Sequence, residues 1–190
     1  YKWGMAIDLS ACTGCSTCTI ACQAENNIPV VGKEQVLRSR EMHWIRVDHY
    51  WAGEDLEHAE SYNMPVPCMH CEDAPCASVC PTGAAHIGPD GIVEVDQGRC
   101  IGCLYCMAAC PYQVRNRNEK TGAVDKCRFC NVSNYTSGTE MCSCVTACPT
   151  GARVFGDLDD PDCELVKEIA ATHAAPIAGD LTKSKVYYVR

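Results

Sequence analysis

The chain has 190 residues, of which 18 are cysteine, and a formal net charge of -8. Close to one residue in ten is therefore cysteine, well above ordinary globular usage, and the acidic balance disfavours a nucleic-acid partner. No apolar run approaches the ~20 residues of a membrane-spanning helix, and a start at Tyr1 rather than Met fits a processed or trimmed product.

Residues 1–11 read as a short strand leading into the first cysteine run, C-T-G-C-S-T-C-T-I-A-C at Cys12 to Cys22. Beyond Cys18 the pattern predicts a helix that stops at Asn26 and Asn27, ahead of Pro29. Residues 28–63 form an insertion without cysteine. Within it, His43 to Trp51 approximates the alternation of a half-buried strand, and the acidic stretch Gly53 to Glu60 reads as a solvated loop. The second run, C-x2-C-x4-C-x3-C-P, spans Cys68 to Pro81. Pro89, Asp90 and Gly91 then supply a turn between two short strands, a hairpin tying this run to the third, C-I-G-C-L-Y-C-M-A-A-C-P at Cys100 to Pro111. A related stretch, Tyr112 to Lys126, joins the third run to the fourth and turns near Thr121 and Gly122. The fourth run, Cys127 to Pro149, is C-x2-C, a polar loop at residues 131–141, then C-x3-C-P, so Cys144 and Cys148 keep the spacing and Cys142 is extra. Asp160 and Pro161 read as the cap and first turn of a helix through Glu164 to Ile169 that includes Cys163, a thiol outside every run. K-V-Y-Y-V-R closes the sequence as a strand or docking arm.

A C-x2-C-x2-C-x3-C-P run suits a cubane iron-sulfur cluster. Three thiolates on a tight loop reach one cluster, and the fourth serves the other cluster of a two-cluster module. Gly14 and Gly102 let backbone amides curl toward an anionic group, and the prolines after Cys80, Cys110 and Cys148 stop the short helices that carry those cysteines. A disulfide framework does not predict one grammar repeated four times. Paired zinc knuckles would explain Cys127 and Cys130 alone, not the triple runs and C-P endings. Sixteen cysteines fall into runs and each cubane takes four, giving four 4Fe-4S clusters, although a 3Fe-4S cluster can occupy a site with four cysteines available. With only two phenylalanines, the carbon core is thin, and the clusters are expected to act as core and folding ligand together.

The expected fold is α+β: two bacterial-type 2x(4Fe-4S) ferredoxin modules, one inserted in the other, with small antiparallel hairpins and short helices. The second and third runs pair in an inner module, 64–111. The first and fourth pair in an outer one, 1–27 plus 112–156, with 28–63 as an insertion and 157–190 as a C-terminal docking arm. None of His43, His49, His58, His70, His86 and His173 stands in a catalytic spacing, so each reads as structural, with His70 placed to tune a cluster. Arg99, Arg115, Arg117, Lys126 and Arg128 crowd the third and fourth runs, while Glu25, Glu72 and Asp73 sit by the first and second. Clusters held mainly by the later runs are therefore expected to be the easier to reduce.

The four runs, with P-T-G-A after two cysteines and F-G-D-L-D-D-P at Phe155 to Pro161, resemble the four-cluster ferredoxin-like iron-sulfur subunits of the molybdopterin oxidoreductases, such as polysulfide and dimethyl sulfoxide reductases. A-E-N-N-I-P-V-V-G-K-E-Q-V and R-E-M-H-W-I-R are similar to the iron-sulfur part of the corresponding subunit of alternative complex III, a quinol-oxidising assembly. The large extra domain usual in that subunit is missing here, and so is the ligand loss its third run can show. The resemblance implies four ligand sets: Cys12, Cys15, Cys18 and Cys148; Cys22, Cys127, Cys130 and Cys144; Cys68, Cys71, Cys76 and Cys110; Cys80, Cys100, Cys103 and Cys106. It also implies an electron-transfer subunit that is not an enzyme on its own. Its partners would be a molybdopterin-type catalytic subunit and a multi-span quinol-binding membrane subunit, or a haem protein in the quinol-oxidising case. Such a subunit would lie peripherally on the membrane, the periplasmic face being favoured. A free soluble polyferredoxin is the alternative.

Overall fold

The computed structural model describes residues 1–53, 55, 57–130, 142–177, 179 and 181–190. Strand β1 (Trp3–Asp8) is buried along nearly its whole length. Helix α1 (Thr17–Glu25) stops where Asn26 turns both its backbone N–H and its side-chain amide onto the Cys22 carbonyl, and Asn27 takes a φ of 49°. A single exposed turn, α2 (Lys33–Val36), precedes an antiparallel hairpin of β2 (Arg46–Ala52) and β3 (Glu60–Val66). Helix α3 (Pro75–Ser78) starts on a proline, where a missing N–H costs nothing. Strands β4 (Ala85–Ile87) and β5 (Val93–Val95) form the expected hairpin, with Gly91 at a φ of 73° in its turn. After α4 (Tyr105–Ala108) comes the second expected hairpin, β6 (Asn116–Arg117) with β7 (Val124–Asp125), turning at Gly122 with the same φ of 73°. The backbone then runs through α5 (Ser143–Thr146), β8 (Arg153–Asp157), α6 (Glu164–Thr172) and β9 (Val186–Val189).

The main sheet has the order β8-β1-β9. Met5 stands opposite Phe155 on the antiparallel side and opposite Val186 on the parallel side, so the two ends of the chain are zipped together. Leu165 of α6 is fully buried in its packing against this sheet. The one-turn helices α3, α4 and α5 each bury one residue, and in every case it is a cysteine: Cys76, Cys106 and Cys144.

Three expectations change. The strand expected from His43 begins only at Arg46. Its partner β3 was not foreseen, because Pro65 and a polar first half hide a strand whose Met64 to Val66 end is buried. The last helix is capped by Cys163, not by Asp160 and Pro161; those two form a turn in which the Asp160 carbonyl accepts the Cys163 N–H at 3.1 Å. The polar loop expected at residues 131–141 lies outside the described residues, as do Glu54 and Leu56 of the acidic stretch.

Candidate iron-sulfur centres

The cysteine loops share one backbone solution. The residue before the second cysteine of each run has positive φ: Gly14 at 70°, His70 at 44°, Gly102 at 68° and Phe129 at 53°. Glycine adopts this freely, whereas a bulky residue there is strained and must be held by its surroundings. His70 and Phe129 hold each other, their rings stacked with centroids 3.8 Å apart. The P-T-G-A repeat is explained the same way. Thr82 and Thr150 bring hydroxyls to the Cys80 and Cys148 sulfurs at 3.7 and 3.6 Å, and Gly83 and Gly151 turn the backbone at a φ of 66°.

These loops gather the sixteen candidate thiols into four groups. Cys12, Cys15, Cys18 and Cys148 line a void of about 360 Å³, solvent-open space included. Cys68, Cys71, Cys76 and Cys110 line one of about 300 Å³, and Cys80, Cys100, Cys103 and Cys106 one of about 310 Å³. Cys22 is pushed far up in pKa by burial and then by the charges of Cys127, Cys144 and Cys130, so these four thiols form the remaining group. Neighbouring groups touch electrostatically. Cys144 raises Cys18, and Cys68 is among the causes, after burial and Cys144, that push Cys127 up to about 12. Both middle groups are wholly buried, while Cys15 and Cys103 expose the two outer ones.

The surroundings fit an anionic, sulfur-rich group. Backbone N–H groups of Ala85, Val124 and Phe129 donate to the sulfurs of Cys80, Cys100 and Cys127 at 3.3, 3.4 and 3.5 Å. Arg115 lines the Cys68 void and is buried; its Nη2 donates to Cys76 Sγ at 2.8 Å, and its buried Nη1 has no hydrogen-bond partner among the described residues. A buried donor left over beside a void is what an anion there would engage. Arg153, which sequence reasoning passed over, reaches Cys18 Sγ at 3.6 Å through Nη2 and Cys144 Sγ at 3.8 Å through Nη1. A signal was present: Arg115 and Arg153 each stand five residues after a C-P cysteine, Cys110 and Cys148.

Of the other cations named from the sequence, only Lys126 is buried, its Nζ donating to the Val93 and Cys127 carbonyls. Arg99 pairs with Asp96 at the surface, Arg117 is exposed, and Arg128 lies over the Trp44 ring. His70 is fully buried, its Nδ1 accepting from the Val93 N–H at 3.2 Å; burial, then Lys126, Lys185 and Arg115, hold its pKa well below the usual histidine range. Cys142 is buried too, and its thiol donates to the Phe129 carbonyl at 3.3 Å. The neighbouring Cys142 side chain is also the first cause that lowers the Cys130 thiol to a pKa of about 6.

Comparison with known proteins identifies the family. Residues 11–84 and 59–158 each match a family model described as a 4Fe-4S dicluster domain. The B chain of polysulfide reductase from Wolinella succinogenes is 41% identical over 190 residues, covering 99% of this chain and 94% of that one. The thiosulfate reductase electron transfer subunit PhsB of Salmonella typhi is 43% identical over 165 residues, 86% of this chain and 80% of the relative. A Halobacterium salinarum protein named as the iron-sulfur subunit of a dimethyl sulfoxide reductase is 36% identical over 218 aligned positions, 99% of this chain and 79% of the relative. The chain therefore belongs to the ferredoxin-like iron-sulfur subunits of the molybdopterin oxidoreductase superfamily, of the polysulfide and dimethyl sulfoxide reductase type, with four 4Fe-4S clusters as its cofactors.

Proposed function

We propose that this protein relays single electrons between a molybdopterin-type catalytic subunit and a multi-span quinol-binding membrane subunit, making and breaking no substrate bond itself. The bound clusters supply reversible one-electron chemistry. The protein holds and insulates them through four cysteine sets. Cys12, Cys15, Cys18 and Cys148 hold cluster 1; Cys22, Cys127, Cys130 and Cys144 hold cluster 2; Cys68, Cys71, Cys76 and Cys110 hold cluster 3; Cys80, Cys100, Cys103 and Cys106 hold cluster 4. The inner module, 64–111, is inserted in the outer, 1–27 plus 112–156. The observation that carries this reading is the order of the thiol groups: a series in which the middle two are sealed and each end reaches the surface, through Cys15 and Cys103. A wire needs that order, with contact at its ends and insulation between.

Docking, rather than free diffusion, is favoured by the rim of the Cys103 end, where Ile101 and Tyr105 are 68% and 63% exposed. Apolar residues clustered at an electron-transfer site mark an interface. At the other end a cleft beside Cys12 is lined by Leu9, Ala52, Tyr62 and Arg190. No helix among the described residues is long and apolar enough to cross a membrane, so the membrane attachment proposed is peripheral, through the quinol-binding partner, on the periplasmic face.

Two experiments test the reading. The complex isolated from detergent-solubilised membranes is expected to contain molybdenum at one per iron-sulfur subunit. Haem without molybdenum would instead point to the quinol-oxidising assembly, and a protein found alone in the soluble fraction to a free polyferredoxin. The register of the fourth run is tested separately. Cys144→Ser is expected to lose or convert one cluster while Cys142→Ser keeps all four, by iron content and electron paramagnetic resonance; the opposite pattern would make Cys142 the ligand.

A further inference from the structure

Three cations are buried among the four thiol groups, and each lies where two groups meet. Arg153 is 4% exposed and reaches from Cys18 of the first group to Cys144 of the second. Lys126 is 1% exposed, is bonded to the Cys127 carbonyl, and acts electrostatically on Cys127 of the second group and Cys76 of the third. Arg115 is 3% exposed, donates to Cys76 of the third group, and acts electrostatically on Cys106 of the fourth. The two arginines are equivalent by internal repetition. Each follows a C-P cysteine by five residues, and each acts on the third cysteine of two paired runs. Burying a charge is costly unless an opposite charge meets it, and no carboxylate forms an ion pair with any of these three cations among the described residues. Lys185 is also buried but differs: its Nζ donates to the Gly91 carbonyl and it faces Glu72 and Asp90 at the edge of the fold.

We propose that Arg153, Lys126 and Arg115 form an interleaved set, one cation at each junction of the cluster series, and that each sets the reduction potentials of the two clusters it separates. Reduction adds a negative charge to a cluster, and a fixed cation beside it favours that form. Buried pairs are screened far less than surface ones, but the interaction falls with distance, so a cation acts mainly on the clusters it adjoins. A charge placed between two sites shifts both in the same direction. It raises both members of the pair together, and the two middle clusters, each adjoined by two cations, are raised most. This replaces the expectation that the clusters of the later runs alone are favoured by positive charge.

The inference rests on the ligand sets proposed above. Failure of those sets would read as retained iron on cysteine replacement, whereas failure of this inference reads as unmoved potentials in a protein that holds all four clusters. The test is a redox titration of the intact complex followed by electron paramagnetic resonance, with iron content measured alongside. Arg115→Gln is expected to lower two of the four midpoints by at least tenfold in the reduction equilibrium, 59 mV for one electron. Arg153→Gln is expected to lower the other two, and Lys126→Gln one from each pair. Arg115→Lys and Arg153→Lys, which keep the charge, are expected to leave all four midpoints within a few-fold. The inference is overturned if Arg115→Gln and Arg153→Gln move the same steps, or if neither moves any. Should a glutamine variant fail to retain iron, the lysine variant decides: four clusters at unshifted potentials sustain the role of charge, and loss of iron there too assigns the arginine to shape and overturns it.

Discussion

Removing iron from the reduced protein with a strong chelator is expected to abolish its cooperative unfolding transition and most of its far-ultraviolet circular dichroism. Helices α2 to α5 are four residues each, and β6 and β7 are two. Isolated helices below ~12 residues are marginal even in favourable sequences, so these turns persist only because something fastens them. In α3, α4 and α5 the buried anchor is a single cysteine. Cysteines from all four runs are part of the one continuous buried core, alongside Met5, Ile7, Met69 and Phe129. Without iron, those thiols surround voids, and Arg115 and Arg153 remain buried without their counter-charge, a condition costing several kcal/mol per ion. The β8-β1-β9 sheet shares that core, through Trp3, Met5, Phe155 and Val186, and has no separate one among the described residues. A chelated protein that kept its native spectrum and melted cooperatively would show that the clusters are passengers in a self-sufficient fold.

Phe129→Ala is expected to be the most damaging replacement outside the cysteines. The ring is 1% exposed, stacks on His70 with centroids 3.8 Å apart, and meets Phe155 edge-on at 5.1 Å. It therefore ties the loop of the second run to that of the fourth. Truncating a buried phenylalanine costs about 3–5 kcal/mol, which for a protein of this size corresponds to a loss of roughly 6–20 °C in Tm. The same aromatic stack continues through Trp3 to Tyr1, where Tyr1 is 81% exposed, so Tyr1→Ala should change stability by no more than ~0.5 kcal/mol. Phe129→Gly should recover part of the alanine loss, because the φ of 53° suits glycine. Thermal loss of cluster absorbance in the three variants is the measurement, and equal midpoints for Phe129→Ala and Tyr1→Ala would refute the bridging role.

The cysteine runs were legible because cluster chemistry fixes ligand spacing along the sequence, and the two hairpins because Gly91 and Gly122 mark turns that need positive φ. Strand β3 was not, since Pro65 and Asn63 suit an edge and only pairing with β2 makes them strand. The parallel contact of β9 with β1 joins residues more than 180 positions apart, a distance over which no local pattern carries information. Charge was misjudged for a related reason. Nearness in sequence to a cysteine run does not separate Arg99 and Arg117, which face water, from Arg153, which stands as close to a run and turns its side chain inward from β8 to meet Cys18. The loop role that His70 and Phe129 share was hidden because they stand where glycine stands in the other two loops. What holds them there is each other.

The sealing of the two middle cysteine groups has a consequence for how the subunit is made. Those eight thiols close over whatever they enclose once the sheet, the hairpins and the His70–Phe129 stack have formed, so their metal must be installed while the fold is still open. Cys15 and Cys103 stay within reach of a delivery protein after folding. With the proposed ligand sets, the two sealed clusters are expected to be installed before the two outer ones, and only the outer ones to be rebuilt in the folded protein.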